Sequence, residues 1–176
     1  MRTTCDGRTQ RFSGRGKWPV GAETRREHAG GTIRAFRPTD AAALTSILRD
    51  APEAANWTQT SYREWMNSPG AVAYVSAGNG TVTGFIIGRQ VADEAEVLNL
   101  AVAPLARRRG EGAALLQAAL GEFRARGASR VFLEVRESNS VAIAFYEKNA
   151  FSKSGRRAGY YRDPDEAAVV MERKLK

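Results

Sequence analysis

Sulfur and imidazole are nearly missing from this sequence: 176 residues contain one cysteine, Cys5, and one histidine, His28. A single thiol excludes an internal disulfide framework and fits a reducing, cytoplasmic compartment. Without a Cys/His cluster there is no ligand set for zinc, and no metal is expected. A thiol nucleophile would need Cys5 beside His28, yet both fall in an N-terminal stretch with no apolar period. Long hydrophobic runs are missing too. Nothing approaches the ~18 residues that a membrane span needs, and the N-terminal stretch lacks the apolar core of a secretory signal. Acidic residues are in the minority, 19 against 27 Lys/Arg, so the chain carries a formal net charge of +8.

Much of that charge sits early. Residues 1–31 hold seven Arg/Lys against three Asp/Glu, together with six glycines. Such a segment buries too little surface to offset the entropy of ordering it, so a disordered or loosely attached leader is expected over residues 1–31. Its arginines and glycines, with Phe12 and Trp18, leave contact with RNA open beside a plain solvated leader. Residues 32–176 have the composition of one globular domain.

From Thr32 the pattern sharpens. Thr32 to Arg37 alternates as a short strand, and Pro38-Thr39-Asp40 caps a helix running to about Leu48. Trp57 to Met66 reads as a second helix, opened by Thr58 or Thr60. Ala71–Ser76 and Thr81–Val91 are β-rich and joined by Gly78-Asn79-Gly80, a hairpin signal. Glu96–Val102 is a further strand, ended by Pro104. Gly110 to Arg126 is the clearest helix, with Leu115, Leu116, Ala119, Leu120 and Phe123 on one face and Gly127 as its stop. Val131–Arg136 is a strand and Ser140–Lys148 a short helix. Ser154–Tyr161 and Ala167–Arg173 then form an antiparallel pair around Asp163-Pro164-Asp165. Hairpins followed by strands alternating with helices define an α/β fold with mixed strand directions.

Between the Glu96 strand and the long helix lies Arg107-Arg108-Arg109-Gly110-Glu111-Gly112. Three arginines at a helix start, where backbone dipoles already place about half a positive charge, are unfavourable unless an anion occupies the site. Glycines let the backbone approach oxygen atoms, and the free N–H groups of the first turn donate to them. Two nucleotide motifs fail here. A Walker loop needs Gly-Lys-Ser/Thr, which is absent, and the dinucleotide fingerprint needs Gly or Ala where Leu115 stands.

The loop resembles the acyl-CoA loop of the GNAT acetyltransferases, Q/R-x-x-G-x-G/A, met as Arg107-x-x-Gly110-x-Gly112. The likeness extends over about residues 32–173. LNLAVAP resembles the family's fourth strand, and LEVRESNSVAIAFYEKNAF its fifth strand and following helix. Within the superfamily the chain is most similar to the bacterial ribosomal-protein-alanine N-acetyltransferases of the Rim type. The resemblance implies a mixed, largely antiparallel sheet flanked by helices, with a splayed strand pair that receives the CoA arm. It implies acetyl-CoA as co-substrate, bound by Leu100, Ala101, Val102, Arg107, Arg108, Arg109, Gly110, Glu111, Gly112, Ala113 and Asn139. The implied acceptor is a primary amine, most readily the N-terminal alanine of a ribosomal or other protein. It would be held by Trp57, Arg156, Arg157, Tyr160 and Tyr161. Those aromatic and basic residues would equally suit a lysine side chain or a small-molecule amine.

Acetyl transfer to an amine needs a proton acceptor, a polarised carbonyl and a proton donor for the departing thiolate. Period two puts Phe132, Glu134 and Arg136 on one face of their strand. Glu134 there can accept the amine proton directly or through water, or simply pair with Arg136 as an exposed carboxylate; the resemblance favours the base. Tyr146 is the implied acid, with a core tyrosine as the alternative, since a neutral phenol can protonate a thiolate. A backbone N–H near Leu100–Val102 would polarise the carbonyl. Asn139 is either a ligand of the pantetheine arm or a helix N-cap. A non-catalytic CoA sensor would keep the loop without needing both Glu134 and Tyr146. One departure stands out: the family's glycine after the catalytic helix is replaced by Asn149-Ala150-Phe151, so Asn149 is expected to take the left-handed conformation.

Overall fold

The computed structural model describes residues 26–28, 31–50 and 59–176. Its strands are β1 (Arg26–His28), β2 (Gly31–Ala35), β3 (Ala71–Gly78), β4 (Thr81–Val91), β5 (Glu94–Val102), β6 (Arg130–Arg136), β7 (Ser152–Arg162) and β8 (Asp165–Lys174). The helices are α1 (Ala41–Arg49), α2 (Gln59–Met66), α3 (Glu111–Ala125) and α4 (Ser140–Lys148). All the strands join one sheet in the order β1-β2-β3-β4-β5-β6-β8-β7. Only β5 and β6 run parallel; every other neighbouring pair is antiparallel.

Local chemistry explains the joints. Asn79 and Gly80 both hold positive φ between β3 and β4, as a two-residue hairpin turn requires. At the entry to α1, Arg34 donates two hydrogen bonds to the Asp40 carboxylate (2.7 and 2.9 Å). The Arg37 N–H donates to the same group at 2.7 Å. Asp40 therefore closes the turn from inside, through its carboxylate, rather than as a solvent-facing cap. The strand β5 starts at Glu94, two residues before the expected Glu96, because Ala92-Asp93 forms the preceding turn with Ala92 at φ 53°. An alanine there gives the sequence no turn signal.

The chain's first described segment shifts a boundary. Arg26–His28 pairs with β2, Arg26 opposite Ile33, so a domain edge at residue 31 cuts through a strand pair. Residues 1–25, with Cys5, Phe12 and Trp18, lie outside the described residues.

Two cores lie on opposite faces of the sheet. On one, α1 and α2 bury Leu44, Ile47 and Tyr62 against Val75, Phe85 and Ile87. On the other, Leu115, Leu116, Leu120 and Phe123 of α3 pack on Ile86, Val97, Val131, Leu133 and Met171, joined by Ile143 and Tyr146 of α4. Each of those four α3 side chains contributes about 1.5–3 kcal/mol of burial. That anchors the helix, and with it the position of the Arg-Gly loop at its N-terminus.

The decisive irregularity is in β5. Val97 pairs with Gly88 and Asn99 with Ile87, leaving Leu98 as an extra, bulged residue. Ala95 and Val97 before it, and Leu100 and Val102 after it, all pack against the α3 core, so the alternation slips by one at Leu98. The parallel β5–β6 ladder ends at that point, with Val97 opposite Leu133 as its last pair. Beyond it β5 stays with β4 and β6 stays with β8, opening a gap between them. The expected splayed pair is present, and a bulge produces it.

Candidate active site

The gap is lined on the β5 side by backbone. The Ala103 N–H donates to the Thr83 oxygen at 2.8 Å. Antiparallel alternation then turns Ala101 toward β4 and leaves the N–H and C=O groups of Leu100 and Val102 facing the gap. Ala101 is thus corrected from the expected cofactor-binding set: its backbone serves β4 and its side chain is buried on the α1 face.

At the head of the gap the loop Arg107–Gly112 winds into α3. Arg108 (φ 66°) and Gly110 (φ 82°) are both left-handed, which turns successive N–H groups inward as in an anion-binding nest. The first-turn N–H groups of Glu111, Gly112 and Ala113 have no carbonyl one turn earlier to bond. Arg108 and Arg109 are exposed and form no ion pair among the described residues. A Cβ on Gly112 would lie 3.6 Å from the Phe145 ring and 3.8 Å from Val102, so the protein itself leaves room there.

Two loop members do other work. Arg107 donates from Nε to the Val102 oxygen (2.9 Å) and from Nη2 to the Asp50 oxygen (3.3 Å). Its guanidinium ties the end of β5 to the end of α1 and is spent on the protein, not on a phosphate. Glu111 is 3% exposed and accepts the Thr83 hydroxyl at 2.7 Å. Its carboxylate is turned inward, and only its N–H remains for an anion. Thr83 lies 28 residues away in sequence, so nothing in the sequence marked it. Phe145, which packs beside Gly112, was also missed, although it directly precedes Tyr146.

Across the gap, β6 presents Phe132, Glu134 and Arg136 on one face, with Val131, Leu133 and Val135 buried on the other. Arg136 is not the partner of Glu134. It donates to Glu166 (3.1 Å) and to the Asp163 oxygen (2.9 Å), and stacks over the Tyr161 ring at 4.2 Å. Glu134 instead pairs with Arg157 at 3.0 Å, and its charge lies close enough to Tyr160 to help burial raise that phenol above the ordinary tyrosine range. The strand β7 delivers both because its register breaks between Arg157 and Tyr161, with Gly159 at φ 57°. Arg156 is taken by both oxygens of Glu137, each at 2.8 Å. It is therefore an ion-pair member at the rim, not an open binding group as expected. Trp57 lies outside the described residues.

Tyr146 lies on α4, 8% exposed, in the α3-side core between the rings of Phe145 and Phe151. Burial, and after it the nearby Tyr161, push its phenol above the ordinary tyrosine range, so it stays neutral at physiological pH. Asn139 caps α4, its Oδ1 accepting the Ala142 N–H at 3.0 Å. The end of α4 departs from expectation. Ala150, at φ 61°, takes the left-handed position while Asn149 stays at φ −98°. Asn149 cannot do so because its Nδ2 donates to the Phe145 oxygen (2.9 Å) and its own carbonyl accepts Arg173 (2.8 Å).

Among the described residues no cluster of His, Cys, Asp and Glu is arranged to hold a metal ion. No helix there is long and apolar enough to cross a membrane.

A mixed sheet with one splayed parallel pair, and an anion nest at the start of the helix that follows β5, define the architecture. The sequence model of the acetyltransferase (GNAT) family matches residues 41–151, and the chain belongs to that family. It is 42% identical to the [ribosomal protein bS18]-alanine N-acetyltransferase of Escherichia coli K12 over 95 residues, 53% of this chain and 64% of that protein. The match thus spans under two thirds of that relative's length. The crystal structure of the ribosomal-protein-S18-alanine N-acetyltransferase from E. coli superposes with TM-score 0.73 and 32% identity, over 82% of this chain and 94% of that one. Ard1 from Thermoplasma volcanium gives TM-score 0.75 and 35% identity, over 84% and 99%.

Proposed function

We propose that the protein transfers the acetyl group of acetyl-CoA to a primary amine, the N-terminal alanine of a ribosomal or other protein. The observation that carries this reading is the gap where β5 leaves β6, with the left-handed Arg108 and Gly110 and the unbonded first-turn N–H groups of α3 beside it. The neighbouring relatives' named acceptor supports alanine as the first residue to test.

In this reading Arg108, Arg109 and the first-turn N–H groups of Glu111, Gly112 and Ala113 hold the pyrophosphate. The left-handed Gly110, around whose Cβ position no protein atom lies within 4 Å, leaves the approach open. Leu100 offers its N–H and C=O, and Val102 its N–H, to the pantetheine arm and the thioester oxygen, the Val102 carbonyl being taken by Arg107. Asn139 keeps its Nδ2 for the same arm, since its Oδ1 is used as a cap. Acetyl-CoA supplies the activated acyl group; the protein supplies positioning and proton transfer. Glu134 accepts the amine proton, directly or through water, and Tyr146 donates to the departing thiolate. Tyr160, Tyr161 and Arg157 line the acceptor side; Trp57, the other residue expected there, lies outside the described residues. Residues 32–176, with Arg26–His28 paired onto β2, then act as one acetyltransferase domain, working in the cytoplasm.

The test is mass spectrometry of a peptide panel after incubation with acetyl-CoA. Acetylation of alanine-terminated peptides at the α-amine supports the reading. Transfer only to lysine side chains or to an aminoglycoside would reassign the acceptor, and no transfer with intact acetyl-CoA binding would make the protein a sensor.

A further inference from the structure

Among the described residues Asp40 and Glu111 are buried carboxylates, and only one of them faces a cation. Asp40, 7% exposed, is answered by Arg34 at 2.7 Å. Glu111, 3% exposed, accepts the Thr83 hydroxyl at 2.7 Å and forms no ion pair among the described residues. Thr83 reaches it from an irregularity in the sheet. Val82 pairs with Ala77 and Gly84 with Ser76, so Thr83 is an extra residue of β4, outside the ladder. Its carbonyl accepts the Ala103 N–H at 2.8 Å, and its hydroxyl lies 3.4 Å from the Ser76 carbonyl and from the Ser76 hydroxyl. Glu111 is also the only acidic residue between Glu96 and Glu122, a stretch that holds all three arginines of the loop.

A buried carboxylate with one hydrogen bond is costly, and its position offsets the cost. Glu111 is the first residue of α3, next to the left-handed Gly110. The helix dipole, the unbonded N–H groups and the exposed Arg108 and Arg109 make the potential there positive. That same potential draws a pyrophosphate. The Glu111 side chain lies within its own length of the nest and away from water, so solvent screens it poorly. A pyrophosphate that reaches those N–H groups meets a like charge already in place. Thr83 holds the carboxylate inward, where it repels the phosphate oxygens without competing for their donors. We infer that Glu111 weakens the nest's hold on the pyrophosphate of CoA, so that spent CoA leaves after transfer. This rests on the reading of the Arg-Gly loop as a pyrophosphate cradle given above.

The test compares wild type with Glu111→Gln, which keeps the side chain's shape and an oxygen for the Thr83 hydroxyl. Each protein is titrated calorimetrically with CoA and with S-acetylpantetheine, which has no phosphate. Release of CoA is followed by stopped-flow displacement. Glu111→Gln should bind CoA about tenfold tighter and release it more slowly by a similar factor. S-acetylpantetheine should bind both proteins alike. Unchanged or weaker CoA binding overturns the inference while leaving acetyl transfer standing. A gain shared by S-acetylpantetheine also overturns it, because packing and not charge would then have changed. So does a gain carried by the association rate alone. Glu111→Leu is the second variant, since the Thr83 hydroxyl then has the Ser76 carbonyl to turn to, and thermal melts confirm that both variants fold. If wild type binds no CoA, the function reading fails, and titration with inorganic pyrophosphate decides this one. Tighter pyrophosphate binding by Glu111→Gln supports it; equal or absent binding overturns it.

Discussion

The Phe151 N–H donates to the Tyr146 oxygen at 3.0 Å, and the two rings meet edge to face with centroids 5.6 Å apart. With the Ala150 N–H bonded to the Glu147 oxygen, this is a Schellman closure of α4, complete with its apolar contact. It fixes the helix end that carries Tyr146, and it does so through an alanine in a left-handed conformation.

Ala150→Gly should therefore stabilise the protein. Relief of the left-handed strain is worth about 1–2 kcal/mol, partly offset by the greater freedom of glycine in the unfolded chain. A net gain of about 0.5–1 kcal/mol corresponds to a melting-temperature rise of about 1–4 °C, readable by calorimetric scanning. Ala150→Val should lower it.

Glu134→Gln should lose most activity near neutral pH and recover partly as pH rises, because the free amine then forms unaided. Tyr146→Phe should reduce turnover at every pH while acetyl-CoA affinity stays near wild type, since the hydroxyl acts mainly in the transition state. Each loss should be about 10²–10⁴-fold. A rate-versus-pH series with a saturating alanine-terminated peptide reads both. Near-normal rates in Tyr146→Phe would return that residue to the core.

Arg107 and its two neighbours should separate cleanly. Arg107→Ala removes the ties to Val102 and Asp50 and should lower the melting temperature. Arg108→Ala with Arg109→Ala should leave the melting temperature of the free protein near wild type and weaken acetyl-CoA binding. Calorimetric titration beside thermal melts distinguishes the two effects.

Gly112→Val should keep the free fold, because even a Cβ there meets Phe145 and Val102 only at ordinary contact distance. Its branches would fill the approach to the first-turn N–H groups and weaken acetyl-CoA binding sharply. Unaltered affinity would refute the phosphate role of this loop.

Alkaline stability follows from the buried phenols. Tyr62 and Tyr146 are both pushed above the ordinary tyrosine range, burial being the main cause. In the unfolded chain they ionise near pH ~10, so the unfolded state releases protons first. Their contribution is whole below that pH and is lost as pH rises through the higher folded values. Melting temperatures measured from pH 8 to 11 should fall beyond about pH 10, and less steeply in Tyr62→Phe.

Much of this protein was legible one segment at a time. Apolar periodicity over Leu115–Phe123 marked α3, Asn79-Gly80 marked the β3–β4 hairpin, and the bounds of α4 were read correctly from Ser140 to Lys148. These are local properties, set by backbone geometry and side-chain spacing within a few residues. Glu134 and Tyr146 were visible as candidates because strand alternation and a family motif mark them, but neither feature says what each touches. Pairings across the sheet decided that. Arg157 reaches Glu134 through a register break in β7, and Arg136 is drawn off by Glu166 and the Asp163 carbonyl. Thr83 captures Glu111 from 28 positions away, and Asp50 helps to occupy Arg107. The bulge at Leu98 that opens the gap has no signature of its own, because it exists only in the mismatch between β5 and β4. Charge and spacing along a chain announce which groups are available; only the packed sheet determines which partner, at which distance, claims each one.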